Sequence, residues 1–292
     1  MQYHVDGELV PAESATVSVR DRGFMYGDAA FETLRAYGGT VFAWDAHADR
    51  LASTVETLGF AEALPPRDDL KARIDETLAA NDLGNAYVKL SVTRGVQPGK
   101  LTPEEAVDPT VVVQVKPLAR GGVEGDRVWD DPATLQSVAT RRVPDEAIPA
   151  DAKTHNYLNG ILARLELRRA ENEEYSADEA LMRDTEGNVV EGAASNVCFV
   201  DGGVLKTPSA DLSLLPGVTR SIVLDLAREE DFPVEEGRYD IGDVREADEA
   251  FVTNSTWEIR PVGTLDGVEV GRGPMTTLLS RLYDQRVEDE CY

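Results

Sequence analysis

Lysine is scarce in this chain of 292 residues: Lys71, Lys89, Lys100, Lys116, Lys153 and Lys206 stand against 54 aspartates and glutamates. Cysteine is scarcer still, with only Cys198 and Cys291. Two thiols exclude a disulfide framework, and Cys198, inside Asn196-Val197-Cys198-Phe199-Val200, reads as a buried structural thiol. His4, His47 and His155 show no metal-ligand spacing, so neither residue type points to a metal site. Long apolar runs are also missing. Apolar residues make up 42% of the sequence, but they come in short patterned groups such as Val111-Val112-Val113, none able to span a bilayer. The first residues, Met1 to Gly7, lack the basic start and apolar stretch of a secretory signal, so a cytoplasmic enzyme is expected.

What the chain has in excess is negative charge. With 29 basic residues against 54 acidic ones the formal net charge is −25, spread along the chain and not gathered in a tail. Such a field repels nucleic acid and anionic membrane surfaces, so neither is expected as a partner. Few lysines beside abundant Asp, Glu and Arg also suggest adaptation to high salt, which stability in molar salt would test.

The length predicts two domains meeting at a cleft, a common place for a small-molecule site. Gln2 to Pro11 reads as a hairpin turned at Asp6-Gly7, and Phe31 to Tyr37 as a strand. Ala46 to Leu58 sets Leu51, Val55 and Leu58 on one helical face, and Leu70 to Leu78 repeats the pattern around Ile74. Alternating strands follow at Tyr87–Thr93 and Thr110–Val115, so the first part is α+β. Pro117-Leu118-Ala119-Arg120-Gly121-Gly122 has linker composition, dividing the chain into a small domain, 1–118, and a larger one, 119–292. In the latter, Leu135–Thr140 and Ala250–Thr253 read as strands and Ala180–Val200 as a meander. Asn156–Arg169, Val218–Arg228 and Met275–Val287 read as helices.

Because lysines are few, a covalent amine can be sought by elimination. Lys71 lies on a charged helix face, Lys100 in a loop, and Lys116 and Lys206 at strand ends, all simply solvated charges. Lys89 alternates with apolar neighbours in a strand and could face a cleft. Lys153 stands just before a helix, where a long side chain is fixed without full exposure. Position alone favours Lys153 only modestly over a structural lysine.

The segment Asp151-Ala152-Lys153-Thr154-His155-Asn156-Tyr157-Leu158-Asn159-Gly160 resembles the lysine segment of class IV aminotransferases. That family contains branched-chain and D-amino-acid aminotransferases and aminodeoxychorismate lyase. Further matches follow in order: Val190-Glu191-Gly192-Ala193-Ala194-Ser195-Asn196, Leu215-Pro216-Gly217-Val218-Thr219-Arg220, and Phe251 to Val262. Upstream, Asp21 to Asp28 and His47-Ala48-Asp49-Arg50-Leu51 also match. The resemblance implies an α+β, two-domain fold-type IV enzyme with its site in the interdomain cleft, a homodimer, and pyridoxal 5'-phosphate (PLP) as cofactor.

By that resemblance Lys153 carries PLP as a Schiff base and, once released, shuttles the proton between substrate and cofactor. Glu191 pairs with the ring nitrogen, keeping the ring cationic and electron-withdrawing. The start of the helix at Leu215-Pro216-Gly217, with Val218 and Thr219, takes the phosphate on free N–H groups. Arg50 and Ser255 complete that cup, Tyr157 reaches the ring hydroxyl, and Leu215 packs on the ring. The small residues after Glu191 suit close approach of backbone to a ligand.

Substrate signals are mixed. Phe31-Glu32-Thr33-Leu34-Arg35 keeps the Phe and Arg of the branched-chain pattern Phe-x-Gly-x-Arg and loses its Gly. Tyr87-Val88-Lys89 stands where Tyr-x-Arg is usual, and Lys is not an equivalent bidentate carboxylate ligand. Arg94-Gly95-Val96 supplies only the Arg of the Arg-x-His trap of D-amino-acid enzymes. Phe31, Arg35, Tyr87, Lys89 and Arg94, with Thr256 and Trp257 beyond Asn254-Ser255, are the substrate candidates. An aminotransferase moving an amino group between an amino acid and a 2-oxo acid is favoured, with 4-amino-4-deoxychorismate lyase second. A PLP-binding protein without turnover is a third reading, opposed by the cations Arg35, Lys89 and Arg94.

Overall fold

The structure is a computed structural model and describes residues 1–120, 128–171, 176–271 and 273–292. The described residues form two compact units, one of residues 1–120, 152–156 and 287–292, the other of those described within 121–151 and 157–286.

In the first unit the hairpin β1 (Gln2–Val5) and β2 (Glu8–Pro11) leads through the short helix α1 (Arg22–Tyr26) to β3 (Ala29–Tyr37) and β4 (Thr40–Val41). Helices α2 (Trp44–Thr57) and α3 (Arg67–Ala80) follow, then β5 (Ala86–Thr93) and β6 (Val111–Pro117). The strands form one sheet in the order β2-β1-β6-β5-β3-β4. Side chains on a strand alternate between faces. Ala30, Leu34 and Ala36 of β3 and Val88, Leu90 and Val92 of β5 therefore share a core with Leu51 and Val55 of α2 and with Leu70 and Ile74 of α3. The opposite face carries Phe31 and Arg35 from β3 and Tyr87 and Lys89 from β5, with Arg35 opposite Tyr87 and Thr33 opposite Lys89.

The second unit contains β7 (Ala133–Arg141), α4 (Leu158–Ala170), β8 (Glu179–Arg183), β9 (Val189–Gly192), β10 (Asn196–Asp201) and β11 (Val204–Pro208). Then come α5 (Val218–Glu229), β12 (Val234–Gly237), α6 (Ile241–Arg245), β13 (Glu249–Asn254), β14 (Glu258–Leu265), β15 (Val268–Glu269) and α7 (Pro274–Cys291). Its sheet runs β12-β11-β10-β13-β14-β7-β8-β9, with β15 beside β14. Leu135, Leu181, Val197, Phe199, Val252 and Val262 form one buried cluster of this unit. Ala163 and Leu167 of α4 pack in another with Val138, Ala180 and Met182.

Two expectations need correction or limits. The segment bearing Lys153 was expected in the larger domain, yet residues 152–156 belong to the first unit. The reason is strand pairing that spans far more sequence than any local pattern covers, described below. Pro117 closes β6, and Gly121-Gly122 of the expected linker lies outside the described residues.

Candidate active site

The strand β4 pairs with the far end of β3, at Ala36 and Tyr37. The near end of that edge is filled by the lysine segment. Phe31 N–H donates to the Lys153 carbonyl at 3.0 Å, His155 N–H donates to the Ala29 carbonyl at 2.9 Å, and Ala30 bridges Thr154. Lys153 N–H in turn donates to Thr54 Oγ1 of α2 at 3.0 Å. With its N–H and C=O both bonded, the Lys153 backbone is fixed, and the residue is only 9% exposed. Its Nζ lies 4.5 Å from the centre of the Phe31 ring.

Lys89 Nζ lies 4.8 Å from the centre of the same ring. Burial, and then the charge of Lys153, hold the Lys89 ammonium below the usual lysine value. His155 Nε2 is 3.1 Å from Ser91 Oγ. Burial, followed by the Lys89 charge, brings its imidazole down to about 4, so it is neutral near pH 7.

Arg50, expected at the phosphate, sits on α2 and is gripped by a carboxylate that sequence reasoning did not single out. Glu32 accepts from Arg50 Nε at 2.8 Å and from Arg50 Nη2 at 2.6 Å. It also lies 2.8 Å from His47 Nδ1. Burial alone would raise the Glu32 carboxyl. The Arg50 charge and the hydrogen bonds from Arg50 and His47 overcome that penalty and hold it at about 2. Burial, only partly offset by Glu32, keeps His47 below its ordinary value. Because the ionised Glu32 carboxylate can only accept, His47 Nδ1 is the donor in this contact.

In the second unit, β9 places Glu191 with both carboxylate oxygens engaged. Oε1 accepts from Arg142 Nε at 2.7 Å and Oε2 from Leu215 N–H at 3.0 Å. Arg142, another residue the sequence reading missed, is steadied by Asn159, whose Oδ1 accepts from Arg142 Nη1 at 3.3 Å and from Val143 N–H at 3.1 Å. The Leu215 carbonyl accepts from Asn196 Nδ2 at 2.9 Å. The backbone of Leu215 therefore ties Glu191 and Asn196 to the segment that opens α5. That helix begins at Gly217 with no side-chain cap, so its first N–H groups take no partner from the N-cap side chain. Val218 and Thr219 are buried in its first turn. A Cβ on Gly217 would fall 1.9 Å from Asn196 Oδ1, which is why glycine stands there.

Gly192 has a different reason from the one expected. Its missing Cβ makes room for Ser195 Oγ and Glu179 Cγ, which a Cβ would meet at 2.3 and 2.9 Å. Its smallness is therefore used by internal packing. Ser255, Thr256 and Trp257 form the tight connection from β13 to β14. Asn254 Oδ1 shapes it by accepting from Thr256 N–H at 3.0 Å and Trp257 N–H at 2.7 Å. Tyr157, Ala193, Ala194, Thr256 and Trp257 line a cavity of about 650 Å³ in this unit, which extends along α4 past Arg164 and Arg168.

The structure thus brings four substrate candidates, Phe31, Arg35, Tyr87 and Lys89, to one sheet face of the first unit, and two, Thr256 and Trp257, to one turn of the second. Arg35 on that face donates to the Ala119 carbonyl and stacks on Tyr37, its Cζ 4.8 Å from the ring centre. Arg94 does not join them. Its Nε donates to Asp28 at 2.7 Å, beside Arg22 Nε on the same oxygen at 2.7 Å, and its guanidinium covers Phe60 at 4.7 Å. The expectation of Arg94 as a substrate ligand is corrected to a structural one: its guanidinium is buried just beyond β5 and held by Asp28, a carboxylate it shares with Arg22.

These features fit what PLP demands: an amine on a fixed backbone, a carboxylate paired with an arginine, an uncapped helix start and a guanidinium held at two points. Residues 29–265 match the family model described as amino-transferase class IV. A putative branched-chain-amino-acid aminotransferase from Methanocaldococcus jannaschii is 35% identical, over 98% of this chain and 95% of that protein. A D-alanine aminotransferase from Listeria monocytogenes is 33% identical, over 100% of this chain and 98% of the other. The crystal structure of 4-amino-4-deoxychorismate lyase from Pseudomonas aeruginosa superposes with a TM-score of 0.82 at 31% identity, covering 99% of this chain and 100% of that one. The chain belongs to the class IV aminotransferase family of PLP-dependent enzymes and has its α+β, fold-type IV architecture.

Proposed function

We propose that this protein moves an amino group between an amino acid and a 2-oxo acid, with Lys153 as the residue that holds PLP. The observation that carries the reading is the Lys153 segment itself, bonded on both sides of its backbone to β3 and α2 while its amine stays beside Phe31. Bound PLP supplies an electron sink for bond breaking at the substrate α-carbon. Lys153 holds the cofactor through Nζ and, when displaced by substrate, carries the proton at that nitrogen to and from the α-carbon. Glu191 would hold the proton on the ring nitrogen, and Arg142 orients Glu191 through Oε1. Arg50, Ser255, Val218, Thr219 and the start of α5 receive the phosphate. Tyr157 orients the ring hydroxyl and Leu215 packs on the ring. Phe31, Arg35, Tyr87, Lys89, Thr256 and Trp257 form the substrate set.

The lyase is the second reading, favoured by Lys89 in place of an arginine and by full-length similarity to the Pseudomonas enzyme. Half-reactions with L-glutamate, L-leucine and D-alanine decide between them. Release of a 2-oxo acid in one turnover by any donor supports transamination and gives its handedness. Failure with all three, together with release of 4-aminobenzoate from aminodeoxychorismate, replaces it by the lyase.

The protein is further proposed to be a cytoplasmic homodimer adapted to high salt. Leu158, Ile161, Leu162 and Leu165 on α4 are 59, 51, 45 and 36% exposed. Their spacing makes one apolar stripe, suited to burial against a second copy. Light scattering of the purified chain should give twice the chain mass of 31.8 kDa, and a monomer would refute it. Among the described residues no helix is long and apolar enough to cross a membrane. The net charge of −25 supports the salt reading, and stability indifferent to molar salt would remove it.

A further inference from the structure

The buried carboxylate of Glu32 lies on the wrong face of its strand for an acid. It alternates with Ala30 and Leu34 toward the apolar core under α2, and it is 0% exposed. A buried ion pair is weak evidence for stability, because apolar replacements of similar volume are often neutral or stabilising. Something other than stability must account for a charge there. Its partners supply the reason. His47, Arg50 and Thr54 are three and four residues apart, so they share one face of α2. The first two bond Glu32, and the third accepts the Lys153 N–H. One helix face thereby links the guanidinium of Arg50 to the backbone of Lys153, and Glu32 fixes that guanidinium in plane and direction by a two-point contact.

We propose that Glu32 is a positioning residue for the cofactor phosphate: it presents the Arg50 guanidinium at a set distance from Lys153, and His47 presents Glu32. This rests on the assignment of Arg50 to the phosphate made above. Electrostatics alone argues the opposite sign, since removing an anion beside Arg50 should strengthen the hold on a phosphate. The two accounts therefore give opposite results.

The test compares pyridoxal 5'-phosphate with pyridoxal, which lacks the phosphate, in titrations of the full chain freed of cofactor. In Glu32→Gln the affinity for pyridoxal 5'-phosphate should fall about ten- to a hundred-fold, the usual effect of losing an orienting partner, while that for pyridoxal stays within about two-fold. In the Arg50→Ala background Glu32→Gln should then have no further effect on this ratio. A general structural role would weaken both ligands together, and that result overturns the proposal, as does an unchanged or increased ratio. Where Glu32→Gln does not fold, Glu32→Asp gives the same comparison, with a lowered ratio supporting the proposal and an unchanged one overturning it. If Arg50→Ala itself leaves the ratio unchanged, the phosphate assignment of Arg50 has failed and the proposal falls with it. If Arg50→Ala lowers the ratio and Glu32→Gln does not, only the positioning role of Glu32 is lost.

Discussion

Replacing Gly217 by alanine isolates one contact at the start of α5. The backbone there, φ −70° and ψ 132°, is open to any residue, so conformational strain is excluded as a cause. The added Cβ would lie 1.9 Å from Asn196 Oδ1 and 3.1 Å from its Cγ. Asn196 is buried on β10, opposite Thr253, and its Nδ2 holds the Leu215 carbonyl. Relief of the clash therefore moves the amide and breaks that bond. Overpacking costs about 1–3 kcal/mol, and the lost hydrogen bond adds about 1 kcal/mol. At roughly 2–4 °C per kcal/mol for a chain of this size, Tm should fall by roughly 4–16 °C. Because Leu215 N–H also bonds Glu191, PLP affinity should fall with it. Asn196→Ala alone should cost about 1 kcal/mol. In the double variant the clash has no partner, and the nearest remaining atom, Arg220 Cβ at 3.4 Å, is in ordinary contact. The pair should then cost only about 0.5–1 kcal/mol more than Asn196→Ala, from alanine in place of glycine at the N-cap. Denaturant melts of the four proteins, with PLP titrations by absorbance, give the coupling energy. Strict additivity, or a Gly217→Ala protein as stable as its parent, would refute the steric account.

Lys153→Ala should abolish both turnover and the visible absorbance of bound cofactor, and activity at the parent level would remove the central assignment. In Glu191→Gln the cofactor should be retained while turnover drops by at least about ten-fold, since a neutral amide no longer holds the ring nitrogen proton; an unaltered rate would refute the role. Acid unfolding should report Glu32, whose carboxyl is held at about 2 in the fold against an ordinary 4.5. Its contribution is complete above pH 4.5 and is lost as pH falls toward 2. Glu32→Gln should flatten the stability profile in that window, and a profile unchanged from the parent would contradict it. His155 has the same sign in a higher window. Its ring is neutral in the fold down to about 4 against an ordinary 6.5, so stability should decline as pH falls between those values. An NMR titration placing the His155 midpoint at or above 6.5 would contradict this.

The sequence by itself determined the local elements, because periodicity is written in neighbouring residues. Leu51 and Val55 mark the buried face of α2, and the alternation of Val88, Leu90 and Val92 marks β5. It also disclosed the family, through the ordered resemblance of the segments around Lys153, Glu191 and Gly217 to those of class IV aminotransferases, which the family match over residues 29–265 bears out. Tertiary structure alone decided which unit receives Lys153, because the deciding bonds join residue 153 to Phe31 and Thr54. It alone separated Arg94, buried against Asp28 beside Arg22, from Lys89, which shares a sheet face with Phe31 and Arg35. It alone revealed Glu32 and Arg142 as the partners of Arg50 and Glu191. A charged side chain looks the same in sequence whether it meets solvent, substrate or another charge, and only the folded chain, by bringing distant residues within hydrogen-bond reach, assigns its partner.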